Sequence, residues 1–438
     1  MLTYLKRGQP PQPDDVAQIQ ATVVEILGRV RAEGDAAVRA YSQRFDGWNP
    51  PDFRVSDDAI RRVSAALPQS LKDDIAFAQA QVRRFAEAQK ATLQDFEIET
   101  LPGVFLGQRC IPVANAGAYI PGGRYPLIAS AYMSVLTAKV AGVTRVIACA
   151  PPRDGQGIHP PTLYAMATSG ADEIYCVGGV QALAAMAYGT ETITPVDFLA
   201  GPGNAYVAEA KRQLFGQVGV DLIAGPTEIL IIADADADVV LVAADLLGQA
   251  EHDPNSMATL ITTSRPFGEQ VIAEVERQLV HLSTRAVAGA CWHTRGEVAV
   301  VADHEAAAAL ADEYAPEHLH VHTSNPEWYR ERLRNYGALF LGPETTVAYG
   351  DKAVGTNHIL PTGRAARYTG GLWVGRYIKV VTYQRLTDAG SIPIAEATAR
   401  ICNAETMAGH AITAELRLGK MTDEGRMTND DRRRTKDE

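Results

Sequence analysis

The feature that most constrains this chain begins near residue 113. From there short β-rich runs alternate with helical segments: AGAYIP, SAYMSVLTAKVAG, RVIACAP, a helical stretch near 161–169, EIYCVGG, another near 180–188, then DFLAGPG. A strand returning parallel to its predecessor needs a long crossover, usually a helix, so this rhythm predicts a parallel sheet covered by helices. A second series follows: EILIIAD, the helix ending in LLGQAEHDPNS, MATLITTS, a helix near 267–279, EVAVVAD, a helix near 304–313, HLHVHT and GALFLG. Two α/β units are therefore expected. Ahead of them, residues 14–46 and 56–92 carry helical periodicity, with Ser56-Asp57-Asp58 as a helix start. Residues 391–420 read as helix. The tail from Met421 is dense in both charge signs and has almost nothing to bury, so it is expected to be disordered.

A chain of 438 residues exceeds one ordinary core, which agrees with two or more domains. Its net charge of −11 argues against a nucleic-acid or anionic-membrane surface, though not against a small anionic substrate. Cys110, Cys149, Cys176, Cys291 and Cys402 are scattered without CxxC spacing, which suits reduced thiols in a cytosol. The opening MLTYLKRGQPPQPDD lacks the apolar run of a signal peptide. The longest uncharged apolar stretch, Pro126–Ala138, is too short to span a bilayer and ends at Lys139. These features predict a soluble cytoplasmic protein with neither nucleic acid nor membrane as partner.

Several constellations could carry chemistry. In LLGQAEHDPNS (246–256), Gln249 and His252 stand three apart and share a helix face before Asp253-Pro254 stops the helix. They are either a polar helix end facing water or half of a metal site. Zinc takes imidazole and carboxylate readily, but a glutamine amide is an uncommon ligand. The pair would need a carboxylate and another histidine from elsewhere. In YAPEHLHVH, Glu317 and His318 sit where a strand enters from a loop, and adjacent carboxylate and imidazole could share proton traffic or simply form a surface pair. His320 and His322 fall on the strand face opposite Leu319 and Val321 and read as ordinary solvent or interface residues. GDKAVGTNHILPTG (350–363) places Asp351 and His358 in a glycine-punctuated loop, which is frequent site material and equally frequent turn chemistry. No GxGxxG fingerprint is present. GPGNAY (201–206) and PGG (121–123) are glycine turns; PGG, after a strand and opening a helix, could cradle a phosphate with backbone N–H groups.

Taken together, GPGNAYVAEAKRQL, AGPTEILIIAD, QAEHDPNS, YAPEHL and GTNHILPT resemble the histidinol dehydrogenase family in order and spacing, over roughly residues 15–415. That resemblance implies a zinc-dependent, NAD-linked homodimeric dehydrogenase. Such an enzyme carries a primary alcohol through an aldehyde to a carboxylate in one site with two NAD. The implied fold is two Rossmann-like units with parallel sheets and a small helical C-terminal arm swapped in the homodimer. The implied division is an N-terminal arm (1–14), a first domain (15–122 with 229–369) holding zinc and acid–base residues, a second on the NAD side (123–228), a dimer arm (370–420) and the tail (421–438). The implied zinc ligands, one ion per subunit, are Gln249, His252, Asp351 and His410, the last reaching across from the partner subunit. Glu317 and His318 would be the acid–base pair, with His318 taking the alcohol proton and Glu317 activating the water that hydrates the aldehyde. Thr227, His358 and Glu405 would contact substrate, and Tyr119, Gln181 and Asn204 would contact NAD.

Two features depart from the biosynthetic pattern. Thr227 stands where serine is usual, and the GTNHILPT block is followed by GRAARYTGGLWVGRYIKVVTYQ. This version looks more like a branch that includes sulfopropanediol 3-dehydrogenase, which oxidises 2,3-dihydroxypropane-1-sulfonate to sulfolactate. The expected substrate is therefore that sulfonate, with L-histidinol as the alternative. Arg364, Arg367 and Arg376 lie in the divergent stretch, where a guanidinium would suit a sulfonate. Other classes fit less well: a non-catalytic zinc scaffold would not keep an acid–base pair, and no cysteine lies in a block matching the site of a thiol-dependent aldehyde dehydrogenase.

Overall fold

The computed structural model describes residues 2–9 and 16–419. The expected disordered tail, 421–438, lies outside the described residues. The fold is mixed α/β, and the chain groups into two compact units: residues 1–91 with 112–377, and residues 92–111 with 378–438.

The first unit holds two sheets. Six strands run in the order Thr3–Lys6, Glu297–Val300, Met257–Thr262, Glu228–Ala233, His318–His322, Ala338–Leu341. All neighbours are parallel except Thr3–Lys6, which pairs antiparallel at the edge. Five further strands, Glu173–Cys176, Arg145–Ala150, Asn115–Tyr119, Phe198–Ala200 and Gly219–Val220, are parallel throughout. Runs such as EILIIA are apolar at successive positions because a parallel sheet is covered on both faces. Ile229 and Ile231 enter one core with the helix Val239–Ala250, while Leu230 and Ile232 enter another with the helix His304–Tyr314.

Helix starts follow the sequence cues. Ser56 accepts from the Ala59 N–H, Asn204 from Tyr206 and Val207, and Asp238 from Val240 and Leu241. The apolar stretch near 126–138 forms Ile128–Ala141, buried at almost every position, which explains its lack of a polar face. No helix among the described residues is long and apolar enough to cross a membrane.

The second unit is helical at its C-terminus, in Asp388–Ala404 and Ala408–Gly419. It also contains a three-stranded sheet ordered Ile378–Leu386, Val104–Pro112, Phe96–Leu101, so the expected arm is not purely helical. Its helices meet through a small alanine core of Ala395, Ala399 and Ala414, leaving Ile401, Ile412 and Leu416 exposed.

Candidate active site

The central strands Glu228–Ala233 and His318–His322 bring Glu228, Glu317 and His318 together at their amino ends. His318 opens its strand beside Ile229, so the backbone of Glu228 lies next to both Glu317 and His318. His318 Nδ1 is 2.9 Å from the Glu228 carbonyl, which can only accept. Nδ1 therefore carries the hydrogen, and Nε2 of the neutral ring is a bare lone pair. That Nε2 is buried, has no hydrogen-bond partner among the described residues, and lies 3.8 Å from Asp351 Oδ1. Burial lowers the His318 pKa; Asp351 and the Glu228 carbonyl oppose this without overcoming it.

The Glu317 carboxylate is placed by two direct partners. Its Oε2 accepts from the Glu228 N–H at 2.9 Å and from the Thr227 hydroxyl, which in turn accepts from Gln249 Nε2. Burial pushes the carboxyl well above its ordinary range, although the Thr227 and Glu228 hydrogen bonds favour the ionised form. Gln249 comes from the last turn of the helix Val239–Ala250, and its amide spends a donor on Thr227, leaving its oxygen available. Gly337 packs against the other side: a Cβ there would lie 2.5 Å from the Glu317 carbonyl oxygen.

Asp351 joins the remaining groups. The sequence places it in a loop, but it lies in the short helix Val347–Lys352, which carries its carboxylate into the first unit's interior. His252, just beyond its helix end, puts Nε2 3.9 Å from Asp351 Oδ2. His358 Nδ1 donates to the Asp351 carbonyl at 3.1 Å, so its Nε2 accepts from the Ser130 hydroxyl at 2.8 Å. Burial drives the His358 pKa down to about 4 and lowers that of His252. Asp351 is itself buried, which would raise its pKa, but His358, His318, Lys352 and His252 together hold it below the ordinary value.

A cavity of about 690 Å³ adjoins this centre. Tyr119, Gln181 and Asn204 all line it, and so does His252. It opens at the carboxyl ends of the five-stranded sheet, where open α/β folds bind ligands. PGG (121–123) lines it too, but the next helix starts only at Ile128, so those glycines form a loop rather than a helix N-terminus. The Tyr119 hydroxyl oxygen accepts from the Gly179 N–H at 3.2 Å, and Gln181 donates to Asp46 at 3.4 Å.

The structure thus gathers Thr227, Gln249, His252, Glu317, His318, Asp351 and His358 in the first unit. Glu405, at the end of the helix Asp388–Ala404, and His410, in Ala408–Gly419, belong to the second unit, and both are exposed. Sequence reading missed Glu228, whose backbone sets the His318 tautomer and whose side chain accepts from Gly363 at 2.8 Å. Its position directly after Thr227 in AGPTEILIIAD was the available signal. It also misplaced His320 and His322: both are buried, because their strand face is covered by the helix Val239–Ala250 rather than solvent. Burial pushes up the thiol pKa values of Cys149, Cys176 and Cys291, so none of these is a ready nucleophile.

Comparison with known proteins puts this fold in a family of dehydrogenases. The histidinol dehydrogenase profile matches residues 10–418. A histidinol dehydrogenase homolog of Shouchella clausii is 54% identical over 95% of this chain and 99% of its own. The sulfopropanediol 3-dehydrogenase of Ruegeria pomeroyi is 50% identical over 96% of this chain and 97% of its own. The crystal structure of histidinol dehydrogenase from Elizabethkingia anophelis superimposes with a TM-score of 0.88 at 35% identity, covering 95% of both chains. The chain belongs to the histidinol dehydrogenase family.

Proposed function

We propose that the protein is a zinc-dependent, NAD-linked dehydrogenase that oxidises a primary alcohol through the aldehyde to the carboxylate. Balanced, one alcohol and one water yield one carboxylate, with two NAD reduced and three protons released. The observation that carries this reading is the buried His318 Nε2, unpartnered, with Glu317 and Asp351 beside it. The donor set suits a divalent ion: an imidazole nitrogen and a carboxylate oxygen 3.9 Å apart are beyond hydrogen bonding but can share ligand bonds of about 2.0–2.2 Å. His252, Asp351 and the Gln249 amide oxygen would hold it, with His410 of the partner subunit as the fourth ligand. When bound, zinc would polarise and orient the substrate hydroxyl, and NAD in the adjoining cavity would accept hydride.

The chain's own groups handle the protons. His318, with Nδ1–H fixed on Glu228, accepts the hydroxyl proton at Nε2. Glu317, whose raised pKa makes its carboxylate a stronger base, takes a proton from the water that hydrates the aldehyde. Thr227 holds Glu317 in place for that step.

For the substrate we favour 2,3-dihydroxypropane-1-sulfonate. Support comes from the 50% identity to a protein named for sulfopropanediol and from the divergent arginines. Arg367 donates to the Glu313 carbonyl and Arg376 to the Thr369 hydroxyl. Arg364 is exposed, has no side-chain partner among the described residues, and follows Gly363, which is bonded to Glu228. It is the guanidinium we assign to the sulfonate. L-Histidinol is the second reading, supported by the close superposition on a histidinol dehydrogenase. The test is NADH formed per substrate consumed, with both alcohols offered to zinc-loaded protein. Two NADH from the sulfonate alone is the expected result; two from histidinol alone would overturn the substrate. Arg364→Ala should raise KM for the sulfonate by roughly 10- to 100-fold, the size of a lost charge-assisted hydrogen bond.

A further inference from the structure

A second polar cluster lies under the same helix and takes no part in the reaction above. His320 and His322 project from the strand face that also bears His318, while Leu319 and Val321 enter the core on the other side. Asp245 comes down from the helix Val239–Ala250, one turn before Gln249. Asp245 Oδ2 is 3.0 Å from His322 Nε2 and 3.3 Å from His320 Nδ1, and the two nitrogens are 3.1 Å apart. These distances make a nearly equilateral triangle. An ion bound tetrahedrally at about 2.0–2.1 Å has ligand–ligand edges of roughly 3.3–3.4 Å, so the triangle matches one face of such a site.

The outer contacts point the same way. His320 Nε2 lies 2.9 Å from the Gly342 carbonyl, so it carries the ring hydrogen and leaves Nδ1 as a lone pair aimed into the triangle. A ring nitrogen anchored on a carbonyl, with the other free, is the usual arrangement of a metal-bound imidazole. Asp245 Oδ1 accepts from the Thr346 hydroxyl at 2.8 Å, which fixes the carboxylate and leaves Oδ2 for the cluster. Both rings are at most 3% exposed, whereas the Asp245 side chain is 13% exposed, so a water could complete the shell from that side. Without a cation, the carboxylate oxygen and the His320 lone pair depend on the single Nε2–H of His322.

We propose that Asp245, His320 and His322 form a second divalent-metal site, selective for zinc or a transition ion of similar preference, that ties the helix Val239–Ala250 to the six-stranded sheet. The site does not depend on the zinc assigned to the reaction centre. Its location explains its use: the helix it anchors is the one whose last turn carries Gln249.

The experiment is a metal count on the full-length protein, stripped with a chelator, reloaded with Zn2+ or with Co2+, and freed of excess. His320→Gln/His322→Gln should hold one ion per chain fewer than the unaltered protein. His252→Ala should keep that ion, and its Co2+ form should show the visible absorption of a low-symmetry nitrogen–oxygen site. Equal metal content in the unaltered protein and the folded double variant would overturn the proposal, leaving the triad a proton-bridged cluster. If the double variant does not fold, anomalous diffraction from Zn2+-soaked crystals decides: a peak within bonding distance of all three atoms supports the site, and its absence refutes it.

Discussion

At the scale of single residues, two neighbours in sequence receive different environments. His318 is kept neutral by burial, and Glu317 is held at a raised pKa by the same burial. Their roles should separate in kinetics. Glu317→Gln is expected to slow aldehyde-to-acid oxidation by roughly 10²–10⁴, the range of a lost general base, while sparing the first oxidation. His318→Gln should depress the first step as well. Stopped-flow NADH traces starting from alcohol and from aldehyde distinguish the two, and equal losses in both steps for Glu317→Gln would sink the division of labour.

Three histidines at this centre also set a pH dependence of stability. His252, His318 and His358 all have folded pKa values below the ordinary 6.5, His358 down to about 4. Above pH 6.5 both folded and unfolded chains carry them neutral, and their contribution to stability is complete. Between 6.5 and about 4 the unfolded chain binds protons that the fold does not, so stability falls as pH falls. Thermal melts of chelator-stripped protein should show Tm dropping across that window, with a shallower drop for His358→Asn. A flat profile would contradict buried neutral imidazoles.

At the scale of elements, the turn GPGN is held by a buried ion pair. Gly201 has φ of 129°, and a Cβ there would meet the Tyr119 carbonyl oxygen at 2.0 Å, so only glycine fits. Lys211 donates to the Gly201 carbonyl at 2.9 Å and pairs with Asp221, whose Oδ2 accepts from the Gly201 N–H at 2.8 Å. Both side chains are at most 3% exposed. Removing one partner strands a buried charge: Lys211→Met should destabilise by about 3–5 kcal/mol in denaturant titration. Lys211→Met/Asp221→Leu should recover much of that loss. Since Asn204 on the same turn lines the cavity, the single variant should also weaken the NAD binding proposed there.

At the scale of the whole molecule, the two sheets of the first unit contribute opposite ends. The cavity lies at the carboxyl ends of the five-stranded sheet, while Glu317 and His318 stand at the amino ends of the six-stranded one. The second unit exposes Ile401, Ile412 and Leu416 over a core of three alanines, an apolar surface for the partner subunit proposed above. If His410 of the partner subunit completes the zinc set, His410→Ala and His318→Ala subunits, each inactive alone, should give hybrid dimers with one working site in two. Verified hybrids without activity would refute the shared site.

The sequence by itself determined the alternation of strands and helices, because apolar runs and caps are local. Asp238 before an apolar helix and EILIIA before that mark their elements without any partner. It also determined the family, through ordered blocks such as YAPEHL and GTNHILPT. Tertiary structure alone decided what the polar residues do. His318, His320 and His322 share one strand face, and their spacing cannot show whether water or protein covers it; Asp245 of Val239–Ala250 meets His320 and His322, Asp351 of Val347–Lys352 faces His318, and all three are buried. Glu228 is equally silent in the sequence, since its part is played by a backbone carbonyl that every residue possesses. Which carbonyl meets which imidazole is a matter of strand register, and register is settled only when the sheet assembles.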